Sequence, residues 1–175
     1  MNSHTKLAKF IHWTFTLLYA YGIFKQVGDL NELEDASLLN FEILFATVFL
    51  IIVLIRYFYM KDAPTLLGAH EEVTKGHLLI AKTVHRLVYF SLIMLPTTGL
   101  LIAGLFNLEM GGVEIAVALH EFSAFLSYLV IALHVGASLY SRFKGEGLWN
   151  AMVPIWKETG KNNSDIVKKL EVMEN

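Results

Sequence analysis

The chain has no cysteine, which excludes disulfide bridges, thiolate-held iron–sulfur clusters and any cofactor tethered through a thioether. Charge is scarce as well. Charged residues make up 17% of the 175 positions, against about 25% in a typical soluble domain. Neither sign dominates, because the formal net charge is −2, and that balance offers no case for nucleic-acid binding. The first apolar run is not followed by a small-residue cleavage motif, so it is read as a retained helix that also directs insertion.

Hydrophobic residues fill 55% of the chain. Stretches free of Asp, Glu, Lys and Arg run over Phe10–Phe24, Ile43–Ile55, Leu87–Leu108 and Phe122–Ser141. The last two are long enough alone to cross the hydrocarbon core, which takes about 20 residues. The first two cross once their flanks are included; Leu38–Met60 reads as one segment with Glu42 and Arg56 near its ends, where long side chains reach toward water. The expected fold is an all-α membrane protein, a four-transmembrane-helix up-and-down bundle over residues 1–154 with a C-terminal tail over 155–175.

All fourteen Lys and Arg except Lys25 fall on one side of such a bundle, and the positive-inside rule places that side, with both termini and the tail, in the cytoplasm. The first connection (Asp29, Glu32, Glu34, Asp35) and the third (Glu109, Glu114) are acidic and face the other compartment. After Arg142, Trp149, Met152 and Trp156 interleave with polar residues, the pattern of an interfacial segment in contact with lipid headgroups. Pro96 removes a hydrogen bond inside the third stretch and predicts a kink, with Thr97 and Thr98 at hand for the freed carbonyls. Gly99 and Gly104 beside it admit a close neighbour or a ring edge. Ala132 and Gly136 form a small-x-x-x-small pair, which suits either a close helix contact or clearance for a flat ring.

Ionisable groups inside a membrane are costly and mark function. Of seven histidines, His4 falls in the N-terminal tail and His70 and His77 in the polar inner connection. Four remain for chemistry. His12, His85 and His134 lie on the cytoplasmic side and His120 near the outer surface. His120 and His134 stand fourteen residues apart on one helix, which leaves them roughly 40° out of line and about 21 Å apart along its axis. That spacing leaves room for one flat, iron-containing ring near each membrane face, held axially by imidazoles as in bis-histidine haem.

The inner side supplies two or three imidazoles. Lys82 and Arg86, beside His85, are placed to pair with haem propionates at the water boundary; marking topology is their other reading. The outer side has one imidazole, and the group at matching depth is the carboxyl of Glu42. Zinc or copper on His12, His85 and His134 is the rival chemistry, although the usual tetrahedral site does not call for imidazoles so widely spaced.

The runs Ile11-His12-Trp13, His85-Arg86-Leu87-Val88-Tyr89, Leu95-Pro96-Thr97-Thr98-Gly99, and Leu119-His120 through Leu133-His134-Val135-Gly136-Ala137 resemble the bacterial cytochrome b561 family. The likeness extends from about Lys9 to Pro154, and the wider superfamily includes the cytochrome b subunits of nickel–iron hydrogenases and formate dehydrogenases. It implies an inner-membrane electron conductor with two b haems, one near each surface, exchanging electrons with quinone. One activity found in the family is oxidation of superoxide with reduction of ubiquinone.

Carried over residue by residue, the resemblance makes His12 and His134 the ligands of the cytoplasmic-side haem and His120 one ligand of the outer haem. The fourth ligand normally comes from the outer end of the second helix, where this chain holds Glu42. A carboxylate is a weaker axial donor than imidazole, so three arrangements stay open: no outer haem, a five-coordinate haem on His120, or a His/Glu site. Without that haem, Glu42 and His120 are expected to pair directly across the helices. His85, with Arg86 and Tyr89, is a candidate quinone or propionate contact. Two other functions remain in view: a membrane anchor subunit with one haem or none that holds a soluble redox partner protein, and a proton-handling bundle built on Glu42 and His120.

Overall fold

The computed structural model describes residues 6–25, 27–60, 75–144, 149, 153 and 156. Among them are four α-helices, α1 (Lys6–Phe24), α2 (Ala36–Met60), α3 (Lys75–Asn107) and α4 (Val113–Lys144), one short 3₁₀ helix (Leu30–Glu34), and no strand. In lipid a spanning backbone must satisfy its own polar groups, and for apolar runs of this length the helix does so. α2, residues 79–107 of α3, and α4 are long and apolar enough to cross a membrane. α1, with 19 residues and Lys6 and Lys9 at its start, falls short of that measure.

The helices outrun the charge-free stretches. α3 begins at Lys75, well before Leu87, so His77 belongs to this helix and not to a polar connection. Continuing the helix is the cheapest way to satisfy peptide groups leaving the hydrocarbon, and lysine is a good helix former whose long stem lets the ammonium reach water. His70 and the tail beyond Trp156 lie outside the described residues.

Two core layers establish the up-and-down order. In one, Phe15 of α1, Phe49 and Val53 of α2, and Leu92 of α3 are buried together, with Ile131 of α4 against them. In the other, Leu39, Ile102, Ala103 and Ala116 are buried together under Leu33 of the 3₁₀ helix. Each helix therefore meets its successor running the opposite way. We call the end carrying Lys6, Arg56, Lys82 and Arg142 the basic end, and the end carrying Asp29, Asp35, Glu109 and Glu114 the acidic end.

Without a hydrophobic force between helices in lipid, close packing depends on small residues. Ser91, Ser123 and Ser127 are fully buried and bring α3 and α4 together. Their hydroxyls donate to carbonyls of their own helices, Ser91 to Val88 (3.0 Å), Ser123 to Leu119 (2.7 Å) and Ser127 to Ala124 (2.7 Å), so their burial leaves no orphaned donor. At Pro96 the Thr97 hydroxyl donates to the Ile93 carbonyl (2.7 Å), and that of Thr98 to Met94 (2.9 Å) and Leu95 (3.0 Å). These bonds carry α3 through the proline without a break.

The acidic residues of the first connection also act as caps. Asp29 accepts from the Asn31 N–H (2.9 Å), while Glu32 accepts from the Asp29 N–H (3.2 Å), closing a capping box on the 3₁₀ helix. Asp35 then accepts from the Ser37 N–H (2.8 Å) and starts α2.

Each helix packs on the next, but α4 does not return to pack along α1. Those two are joined by a hydrogen bond from the Tyr19 hydroxyl to Ser127 Oγ (2.7 Å), Ser127 having committed its own hydrogen to Ala124. The bundle therefore has one loosely closed seam, between its first and last helices.

Candidate functional site

The α1/α4 seam carries the two histidines expected to act together. His12 lies seven residues before Tyr19, and His134 seven residues after Ser127. Because α1 and α4 run in opposite directions, both lie on the basic side of the Tyr19–Ser127 bond, each displaced by about 10.5 Å of helix rise. They stand at one level on opposite lips. The His12 ring packs against Phe15 (5.2 Å between centroids) and Trp13 (6.0 Å). His134 meets the edge of His85 from α3 (4.9 Å, 81° between planes).

Gly136 is exposed, and an added Cβ there would meet nothing within 4 Å; two residues from His134, about 200° around the helix, it faces away from that ring. The close contact expected of the Ala132–Gly136 pair is therefore absent among the described residues, and the open side of Gly136 is the exposed face of α4. Gly104 likewise faces open space. Two imidazoles at one height, on helices that do not pack along each other, form a donor set suited to a flat ring ligated on both faces.

His85 approaches this pair without completing a metal cluster. Its Nδ1–H donates to the Ala81 carbonyl (2.8 Å), leaving Nε2 as the atom able to accept a hydrogen bond or bind a ligand. No group of three His, Asp or Glu able to hold a metal ion forms among the described residues. The zinc or copper reading of His12, His85 and His134 is corrected accordingly: His85 lies edge-on to His134, while His12 belongs to the opposite lip. Lys82 and Arg86 flank His85 on α3, and both are exposed.

Arg56 lies where sequence reasoning did not look. It was expected to reach out to water, yet it is buried, with 8% of its surface exposed. Its Nη1–H donates to the Ala8 carbonyl (3.2 Å), its Cζ sits 5.3 Å from the Phe15 ring centroid, and the Tyr89 hydroxyl hydrogen-bonds the guanidinium. The start of α1 and the middle of α3 close over it, so a carbonyl, an aromatic face and a hydroxyl replace water. The only hint in the chain was that α2 stays apolar and aromatic beyond it, through Tyr57, Phe58, Tyr59 and Met60.

At the acidic end His120 and Glu42 separate. His120 donates its Nδ1–H to Thr98 Oγ1 (3.0 Å), because the Thr98 hydrogen is already directed at the Met94 and Leu95 carbonyls. Its ring lies over Gly99, where a Cβ would stand 3.5 Å from Cε1; the ring edge that this glycine admits is an imidazole. Anchoring Nδ1 leaves Nε2 with its lone pair free, the arrangement typical of a metal-bound histidine. Glu42 turns toward α1, where Oε1 is 3.4 Å from Lys25 Nζ, and that ammonium lies 3.5 Å above the Phe41 ring. Tyr21, Gly22 and Phe45 complete the cleft.

The expected Glu42–His120 pair therefore does not form. A carboxylate in apolar surroundings gains more from an ammonium than from a neutral imidazole, and Lys25, the one basic residue outside the topological pattern, supplies it. Beyond α4, Arg142 Nε–H donates to the Trp156 carbonyl (3.2 Å), with the guanidinium 3.4 Å above the Trp156 ring and Trp149 edge-on to it. The aromatic segment is thereby tied to the end of α4; Met152 lies outside the described residues.

Neither a curated protein nor a solved structure matches the chain. A family model does, over residues 3–154, and its description is prokaryotic cytochrome b561. That range takes in all four helices, both lips of the seam, and His120 with its Thr98 anchor. The chain belongs to the prokaryotic cytochrome b561 family, membrane proteins that carry electrons on haem b.

Proposed function

We propose that the chain crosses the bacterial inner membrane four times with both termini and the basic end in the cytoplasm, and that it holds haem b between His12 and His134. In this role it exchanges electrons between the quinone pool and a redox partner. The level placement of His12 and His134 across the α1/α4 seam carries this reading. The lysines and arginines of the basic end support the orientation, and α1 completes the fourth crossing once Lys6 and Lys9 extend their stems to the surface.

Bound haem supplies a one-electron carrier. The chain supplies the rest. His12 and His134 would hold the haem iron through their ring nitrogens, Lys82 and Arg86 would pair with its propionates at the water boundary, and His85 Nε2 would accept a hydrogen bond from a quinol hydroxyl or a propionic acid group.

The acidic end supports a single-haem reading. His120 is the one imidazole there, and Glu42 is engaged by Lys25. Superoxide oxidation coupled to quinone reduction, which a haem on His120 would serve, is the second reading, and the anchored Nδ1 of His120 favours it. Haem content and spectrum of the purified chain decide. About one low-spin haem per polypeptide is expected; about two supports the second reading, and none refutes haem function altogether. Glu42→His, which adds an imidazole at the acidic end, is expected to raise the ratio toward about two. An unchanged ratio in that variant shows that the missing imidazole is not what limits haem content.

A further inference from the structure

Arg56 is a permanent cation that solvent barely reaches. Among the described residues no carboxylate forms an ion pair with it; its partners are the Ala8 carbonyl, the Phe15 ring and the Tyr89 hydroxyl, all uncharged in ordinary conditions. Phe15 in turn packs on His12, and Tyr89 lies one turn of α3 from His85, whose ring meets that of His134. The guanidinium is thus linked through one ring to His12 and along one face of α3 to His134.

Burying an arginine that forms no ion pair among the described residues is costly, and the partners it has there only partly offset that cost. Holding α1 to α2 does not require a charge, since neutral groups could bond the Ala8 carbonyl. A buried cation does have one effect that a neutral group lacks. In a medium of effective dielectric about 20 it acts roughly four times as strongly as through water. Lys82 and Arg86, exposed at the helix surface, are screened by solvent and salt.

Reduction of a haem between His12 and His134 places one additional electron in this field. We propose that Arg56 is the fixed charge that sets the reduction potential of that site, raising it by favouring the reduced, more negative state. The proposal rests on haem ligation by His12 and His134 and adds the residue that tunes it.

Potentiometric titration of the purified full-length protein tests it, following the haem band that His134→Ala removes. Arg56→Gln is expected to lower the reduction equilibrium constant at least about tenfold, which is about 59 mV for a one-electron couple. Arg56→Lys, which keeps the charge, is expected to stay within about threefold, or about 30 mV, of the parent. Tyr89→Glu places a carboxylate on the guanidinium, cancelling its charge while Arg56 stays in place, and is expected to shift the constant as Arg56→Gln does.

Arg56→Gln and Tyr89→Glu proteins with the parent potential overturn the proposal. So does an Arg56→Lys shift as large as that of Arg56→Gln, which would make shape the cause and not charge. If Arg56→Gln takes up no haem, Tyr89→Glu decides alone by the same criterion. Failure of haem ligation itself shows separately, as absence of haem from the unsubstituted chain.

Discussion

Replacing His134 with alanine empties the basic end: the purified variant is expected to retain less than about a tenth of the parent haem at that site, because an alanine offers no axial nitrogen. The polypeptide is expected to accumulate at normal levels. Alanine is the best helix former, and His134 lies at the edge of an interface that α1 and α4 do not fill, so little packing is lost. His12→Ala should give the same loss from the opposite lip. His85→Ala is the informative contrast. His85 touches His134 only edge-on, so the haem should survive that change with at most an altered band shape or quinone response. Haem per polypeptide, measured by absorbance after extraction, checks all three, and a His85→Ala loss equal to that of His134→Ala would move the ligand assignment to α3.

Ser127→Leu is expected to be the most damaging change away from the histidines. Ser127 has no exposed surface and sits where α4 approaches α1 and α3. Three additional carbon atoms have no space there, and overpacking a filled core costs about 1–3 kcal/mol. Removing only the hydrogen bond is a milder perturbation. Tyr19→Phe and Ser127→Ala each delete one interhelical bond, worth on average about 0.6 kcal/mol between membrane helices. The leucine variant should therefore unfold at clearly lower denaturant in detergent and lose haem as the lips spread, while the two deletions stay near the parent in both measurements. Equal losses in all three would show that the hydrogen bond, and not the available volume, holds α1 to α4.

The number of helices and the positions of their middles were legible in the charge-free runs, since excluding charge from hydrocarbon is a strong constraint on sequence. The inequality of the two ends was legible too, because His120 has no second imidazole at its level. The partners of individual side chains were less so. α2 is apolar all round, with no polar face to say which way it turns, and a helix without such a stripe can present Glu42 to α1 or to α4 on equal hydropathic terms. Its rotation is fixed by tertiary details such as the Lys25 ammonium and the close approach of Phe45 to Gly22. Arg56 was missed for the same reason. A single arginine near the end of an apolar run reads as a boundary, and only the placement of Ala8, Phe15 and Tyr89 around it reveals a buried charge. The continuation of α3 back to Lys75 escaped because helices do not stop where hydrocarbon does.

The seam between α1 and α4 also bears on how the protein is made. Of the four helices α1 is made before the other three and α4 after them, so under the proposed haem ligation the two lips are the most widely separated in time of any pair among the four. α3 can settle against α2 and, across its serine-lined contact, against α4 before a cofactor arrives, and the seam would then offer lateral entry without prising that core apart. Under the proposed ligation cofactor loading is the closing step of assembly, and a chain truncated before His134 is expected to insert its early helices yet hold no haem at the basic end.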